Sequence, residues 1–216
     1  NIWGWASKNE KISLVIEDKT YTTKANASGE WIVKLPAMNH GGPYKMIINS
    51  SKNTITIQNI LIGDVWLCSG QSNIEWRVHS VNNASTEIAT ANYPMIRSFN
   101  VAQEIGLELR NDFNGKWEIC SPATVSDFSA VAYFFARKLH EETDIPIAII
   151  NSSWGGTDIE TWMSAKTFDT LPEKFKTRYN NSDFKHKYAP ESNKKAKLAY
   201  EEALNHDAGL SEKWYA

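Results

Sequence analysis

Apolar and polar residues alternate through the first sixty positions with a period of two. Ile12, Leu14 and Ile16 share one parity, and Trp31, Val33 and Leu35 repeat it. That period puts alternate side chains on one face of a strand. Turn residues punctuate the runs at Glu17-Asp18-Lys19 and Asn26–Gly29, and Pro36–Pro43 reads as a loop. Between them lie an opening strand with Ile2, Trp3 and Trp5, a return strand over Tyr21–Lys24, and strands over Tyr44–Asn49 and Thr54–Leu61. Short strands at this spacing predict a small β-sandwich or jelly-roll-like module over residues 1–60.

At Leu61 the pattern changes. The stretch Leu61–Trp76, LIGDVWLCSGQSNIEW, begins with Ile62, Val65, Trp66 and Leu67 and breaks into small and polar residues from Cys68 to Asn73. It predicts a buried strand ending in a tight turn. A mixed pattern follows: a short helix near Ser85–Ala91, strands over Met95–Val101 and Trp117–Cys120, and a loop over Leu107–Gly115. Asp127 is the expected cap of a helix over Phe128–Glu142, with Val131, Phe134, Phe135 and Leu139 as its apolar face. Pro146–Asn151 (PIAIIN) reads as a fully buried parallel strand, so helix and strand form half of a βαβ unit. A second glycine-rich loop, Ser152–Thr157, follows that strand. A short helix near Ser164–Thr170, a polar excursion over 171–192 and a helix to about His206 complete the reading. Residues 61–216 are thus expected to form an incomplete α/β domain.

Composition narrows the function. The 216 residues carry 23 basic and 25 acidic side chains, a net charge of −2. No basic field exists to attract a phosphate backbone, so a nucleic-acid partner is not expected. No apolar run approaches a membrane span, so no membrane partner is expected either. Nine Trp, eight Tyr and eight Phe suit a protein that handles sugar rings, although most Trp are expected in the core. In the β-module, Trp3, Trp5 and Trp31 either bind carbohydrate or face inward; inward is the expectation. Cys68 and Cys120 lack metal-ligand spacing and either pair or remain thiols. Sequons occur at Asn26, Asn49, Asn83, Asn151 and Asn180. No His/Cys/Asp cluster has ligand spacing, so neither a metal nor another cofactor is expected.

Two glycine loops at strand ends define one candidate site, because open α/β sheets bind ligands at the carboxyl ends of their strands. Ser72, two residues after Gly70, is either a turn residue or a nucleophile. The surroundings differ from a G-x-S-x-G elbow, since the last glycine is missing. Backbone amides in glycine loops make good oxyanion donors, because no side chain blocks approach. Ser72 and Gly156 are the expected donors. Neither loop has the spacing of a phosphate-binding motif. Asp64 reads as a cap or turn residue. Glu75 and Arg77 either line the cleft or solvate a helix. Thr157, Glu160 and Trp162 follow the second loop and are candidate sugar contacts.

GDVWLCSGQSNIEW, followed by DFSAVAYFFARKLHEETDIPIAIINSSWGGTDIETWM, resembles the sialate O-acetylesterase (9-O-acetylesterase) family within the SGNH-type carbohydrate esterases. WGWA near the start and ASGEWIVKLP at 27–36 agree, so the resemblance covers residues 1 to about 164. Gly70-Gln71-Ser72-Asn73 matches the family's G-Q-S-N-M motif, with Ile74 in place of Met. The resemblance implies an SGNH-hydrolase-like (flavodoxin-like) three-layer fold with Ser72 as nucleophile. It implies an oxyanion-hole amide from the loop Trp154–Thr157. Beside it, Gln71, Asn73, Thr157 and Glu160 are the expected substrate contacts, with a surface ion pair as the alternative for Glu160 and the core as the alternative for Trp162. The resemblance also implies a cofactor-free hydrolase that removes O-acetyl groups from a sugar. The sugar expected is sialic acid; acetylxylan or another plant polysaccharide is the alternative, as is a non-catalytic carbohydrate-binding protein on the same fold. Family members carry an Asp and a His close together after the nucleophile, and a Q-G-E motif. Neither pattern occurs here, and His40, His79, His140, His186 and His206 all read as structural or solvated. The expectation is therefore that a longer polypeptide or a second chain supplies Asp and His, and that residues 1–216 alone are inactive. Export, to the cell exterior, the periplasm or a lysosome, is expected from the resemblance.

Overall fold

The computed structural model describes residues 1–104, 113–164, 166–167 and 170–173. Described residues up to 156 form one compact unit, and those from 157 onward belong to another.

Six strands build the amino-terminal part: β1 (Ile2–Trp5), β2 (Lys11–Ile16), β3 (Lys19–Lys24), β4 (Glu30–Val33), β5 (Gly41–Asn49) and β6 (Thr54–Ile62). β1 and β4 form an antiparallel ribbon, and the others an antiparallel sheet in the order β3-β2-β5-β6. The period-two residues meet as predicted: Ile12, Leu14, Ile16, Trp31 and Val33 are buried together with Met46 and Ile48. The expectation that the tryptophans face inward holds for Trp31 alone. Trp3 and Trp5 are 55% and 66% exposed, on the outer face of the β1–β4 ribbon, where they meet edge to face at 5.4 Å. Strand alternation explains the split, since the side chain between them in β1 is Gly4, over which the Trp31 indole packs. More widely, Trp66, Trp76, Trp117 and Trp162 are also exposed, so the described tryptophans are mostly not core.

A second core belongs to the mixed sheet. Its strands are β7 (Asp64–Gly70), β8 (Tyr93–Asn100), β9 (Trp117–Cys120) and β10 (Ile147–Ser153), in the order β7-β10-β8-β9. β7, β10 and β8 run parallel, and β9 is antiparallel to β8. Helix α1 (Ser72–Glu75) follows β7, α2 (Ala84–Thr90) precedes β8, and α3 (Ala130–Thr143) precedes β10. Phe128, Ala132, Tyr133 and Ala136 pack with Ile96, Ile147 and Ile149. The Tyr133 hydroxyl donates to Glu87 at 2.7 Å, and Arg137 pairs with the same carboxylate, tying α3 to α2. Burial pushes the Tyr133 hydroxyl well above its usual range, so it remains a donor.

Three local expectations are corrected. The cap of α3 is Ser129, whose Oγ accepts from the Ala132 amide at 3.4 Å; Asp127 ends a 3-10 turn, and Phe128 between them is extended. The buried residues of α3 are Ala130, Ala132, Tyr133 and Ala136. Of the expected apolar face, Phe134 and Leu139 pack against this core, while Val131 is exposed and Phe135, itself exposed, meets Trp66 of β7. The alanines let the helix approach the sheet closely. β7 is not buried. It pairs only with β10 among the described strands, and Val65 and Leu67 are 62% and 69% exposed. On its other face Trp66 meets Phe135 at 5.1 Å. The helices read near 164–170 and up to 206 lie largely or wholly outside the described residues.

Ile149, 1% exposed in the middle of β10, anchors the sheet that carries both glycine loops. Ile149→Ala is expected to cost about 3 kcal/mol through lost transfer energy and an unfilled cavity, measured as a lower denaturant midpoint with an unchanged m-value.

Candidate active site

Because β7, β10 and β8 are parallel, their carboxyl ends emerge on one edge of the sheet. The register places Gly70 opposite Ser153 and Asn100 opposite Asn151. Chain leaving each strand therefore meets there: Gln71–Glu75, Trp154–Gly156 and Val101–Glu104.

The first of these turns sharply. Gly70 sits at φ +155°, a region that costs an L side chain strain, and a Cβ there would approach Ile74 to 3.1 Å. The chain then enters α1 at Ser72. Amides of Ile74 and Glu75 donate to the Gln71 carbonyl, both at 3.0 Å, and the Trp76 amide donates to the Ser72 carbonyl at 2.9 Å. This single turn of helix holds Gln71, Ser72 and Asn73 at the surface, all three exposed.

The glycine loop lies against that turn. The Trp154 amide donates to the Gly70 carbonyl at 3.0 Å, extending the β7–β10 ladder by one step. A Cβ on Gly155 would stand 3.0 Å from Ser72 Oγ and 2.6 Å from Glu75 Oε2. Gly155 is thus glycine because the serine hydroxyl and a carboxylate occupy the space beside it. Its amide donates to Glu75 Oε2 at 2.6 Å. Gly156 sits at φ +74° with open space around its Cα. Among the described residues, no acceptor takes the amide of Ser72 or of Gly156.

Glu75, whose sequence context left cleft and solvent equally open, is half-buried in this arrangement. Its second oxygen accepts from Gln103 Nε2 at 2.7 Å, and the same nitrogen donates to the Ser153 carbonyl at 3.2 Å. Gln103 was not a candidate from sequence. The available signal was its position: a polar side chain three residues past a parallel strand, at the edge of the sheet where ligands bind. Arg77 serves the scaffold instead, donating to the Asp127 carbonyl at 2.6 Å. Asp64 opens β7, its amide donating to the Pro146 carbonyl at 3.0 Å.

The remaining candidates lie elsewhere or are not described. The Thr157 hydroxyl accepts from the Trp162 indole N–H at 2.8 Å within the second unit. The Glu160 side chain lies outside the described residues, as do His186 and His206. His79 Nδ1 meets the Ser126 carbonyl at 3.0 Å, with Asp127 at 3.9 Å, and His140 Nδ1 meets the Ile145 carbonyl at 2.8 Å. Among the described residues no imidazole is bonded to Ser72.

Cys68 and Cys120 are separate thiols. Burial pushes both pKa values up, that of Cys120 to about 11, so neither is a thiolate nucleophile at neutral pH. Asn151 is 3% exposed and its Nδ2 donates to Asn100 Oδ1 at 3.1 Å, so its sequon is inaccessible to a glycan. Among the described residues no group of three or more His, Cys, Asp and Glu side chains is placed to hold a metal, and no helix is long and apolar enough to cross a membrane.

Residues 62–190, the segment containing both loops, match the family model for carbohydrate esterases described as sialic acid-specific acetylesterases. The chain belongs to that family. It is 33% identical over 184 residues to the sialate O-acetylesterase of Rattus norvegicus, covering 76% of this chain and 34% of that protein. The Homo sapiens sialate O-acetylesterase is 31% identical over 185 residues, covering 77% and 35%. In structure, the chain resembles a carbohydrate acetylesterase from Xanthomonas citri with a TM-score of 0.76 and 38% identity, over 78% of this chain and 39% of that one. The mixed α/β fold is therefore that of a carbohydrate acetylesterase. The chain spans about a third of the length of the curated relatives it matches.

Proposed function

We propose that the chain carries the nucleophile and oxyanion loop of a serine esterase that removes O-acetyl groups from a sugar. The observation that carries this reading is that Ser72 Oγ lies within 3.0 Å of where a Cβ on Gly155 would stand, at the joint carboxyl ends of β7 and β10 in a family of carbohydrate esterases. In this mechanism Ser72 Oγ attacks the acetyl carbonyl and gives its proton to a base. The carbonyl oxygen becomes an oxyanion, received by the amides of Ser72 and Gly156. Collapse expels the sugar hydroxyl, protonated by the conjugate acid of that base, and leaves acetyl-Ser72. Water then attacks the acetyl group, acetate leaves, and Ser72 is regenerated. The base is an imidazole outside the described residues, from a longer polypeptide or a second chain. Gln71 and Asn73, exposed beside the serine, would contact the sugar.

The preferred substrate is O-acetylated sialic acid, the substrate class in the family's description and in the names of the curated relatives. Acetylated xylan is the alternative within the same chemistry, since only the cleft walls select between them. A second reading, sugar binding without catalysis, draws on Trp3 and Trp5, which border a groove of about 420 Å³ with Asn26 and Glu30 in its wall.

A fluorophosphonate probe applied to the intact polypeptide separates esterase from binder. Covalent labelling of the Ser72 peptide, located by mass spectrometry and lost in Ser72→Ala, is expected. A folded, sugar-binding protein that resists the probe would leave only the binding reading standing. Release of acetate from O-acetylated sialic acid and from acetylated xylan, compared as kcat/KM, decides the substrate.

A further inference from the structure

Three chain segments leave the parallel strands at the site, and one carboxylate joins them. Glu75 closes the helical turn that begins at Ser72. Its Oε2 accepts from the Gly155 amide at 2.6 Å, and its Oε1 accepts from Gln103 Nε2 at 2.7 Å. Gln103 reaches on to the Ser153 carbonyl at 3.2 Å. Hydrogen bonds to a carboxylate are shorter and stronger than neutral ones, and both of these lie in the short range. Two consequences follow from the geometry. The spacing between the nucleophile turn and the glycine loop is set by one side chain on the turn itself. The Gly155 amide is also consumed, so it has no proton to offer an oxyanion, and the donor role passes to the next residue.

We propose that Glu75 is the positioning residue of this site. Its carboxylate, braced by Gln103, holds the glycine loop against Ser72 so that the Gly156 amide is available to the oxyanion. This rests on the esterase reading given above. Glu75 touches neither the acetyl group nor the proton being transferred. Its effect is on the placement of the donor, which matters most once negative charge has formed on the carbonyl oxygen. Removing it should therefore weaken transition-state binding and leave substrate binding alone.

The test uses the intact polypeptide and three readouts: steady-state kinetics on an aryl acetate, the rate of Ser72 phosphonylation by a fluorophosphonate, and the thermal midpoint. Glu75→Ala is expected to lower kcat about 30-fold with KM changed less than threefold, within reach of the loss of one oxyanion donor. Phosphonylation should slow in the same proportion, because the phosphoryl oxygen occupies the same hole. Gln103→Glu sets two carboxylates against each other and should lower kcat about 100-fold. Adding Glu75→Gln to it restores an amide–carboxylate pair of reversed polarity, and about tenfold of activity should return. A purely stabilising Glu75 would not produce that recovery, and the pair carries the test even where Glu75→Ala does not fold. The proposal is overturned if Ser72→Ala loses at least about 10³-fold in kcat while Glu75→Ala keeps kcat within threefold of the parent. It is equally overturned if the double variant is no better than Gln103→Glu. Undiminished hydrolysis by Ser72→Ala would instead overturn the esterase reading itself.

Discussion

Replacing Ser72 by alanine is expected to lower kcat for acetyl ester hydrolysis by the intact polypeptide at least about 10³-fold, leaving KM within a few-fold. The physical basis is the order of events. Without the hydroxyl no acetyl-enzyme forms, and the remaining route is direct attack by water, helped only by the amides of Ser72 and Gly156 and by substrate binding. Those contributions survive the substitution, so activity should fall to a floor above the uncatalysed rate and not to zero. Ser72 is exposed at the head of a single helical turn, so losing its Oγ leaves no buried cavity and the thermal midpoint should hardly move. A loss of activity accompanied by a large loss of stability would contradict this reading, since the residue would then be part of the scaffold. The measurement pairs initial rates on an aryl acetate with a thermal melt of the same sample.

The second large effect is expected at Gly155. An alanine Cβ there would stand 2.6 Å from Glu75 Oε2, 3.0 Å from Ser72 Oγ and 3.6 Å from Ser72 Cα. The 3.6 Å approach is ordinary contact; the other two are relieved only by moving the Glu75 carboxylate and the Ser72 hydroxyl or by moving the loop, and turning the hydroxyl away takes the proposed nucleophile out of place. Moving Glu75 breaks its bonds to the Gly155 amide and to Gln103, while moving the loop shifts the Gly156 amide relative to the serine. A displacement on the order of 1 Å in a catalytic constellation costs roughly 10²-fold in rate, so Gly155→Ala should lower kcat by about that factor. Overpacking should also cost about 1–3 kcal/mol of stability. Gly156→Ala is the comparison for stability alone, since Gly156 carries the proposed donor amide: a Cβ there meets nothing within 4 Å. Its only steric cost is the positive φ of +74°, roughly 1–2 kcal/mol for an L side chain. Melts of the two variants should show the larger loss at Gly155, where the added Cβ meets the Glu75 carboxylate and the Ser72 hydroxyl. Equal losses of stability at both positions would sink the steric account.

Much of the fold is legible along the chain. Period-two alternation at Ile12–Ile16 and Trp31–Val33 predicts an inward face, because burial of one strand face admits a single register. The turns at Glu17-Asp18 and Asn26–Gly29 are legible for a local reason: Glu17 and Asp18 adopt positive φ, and Asn26 Oδ1 accepts from the amides of Ser28 and Glu30. The PIAIIN strand is legible because both of its faces are apolar. Where the reading fails, the deciding contact is remote in sequence. The apolar content of Asp64–Gly70 cannot report that β7 has a described neighbour on one side only. On α3, Phe134 and Leu139 pack against the core as their spacing suggests, but Val131 and Phe135 stay exposed and alanines take the closest approach to the sheet.

The site divides the same way. Ser72 and the glycines of the second loop are visible in sequence because the motif text is specific; the glycine-rich turn alone fits a plain turn residue equally well. By itself, the sequence marked the candidate nucleophile and the two loops through local residue types, and the resemblance of its motif text pointed to the class of chemistry. Only the tertiary structure decided that Glu75 takes the Gly155 amide, that Gln103 braces it, and that no acceptor among the described residues takes the Gly156 amide. Those contacts join positions 28 and 80 residues apart. They exist because three parallel strands bring their carboxyl ends to one edge, a condition that no window of sequence contains.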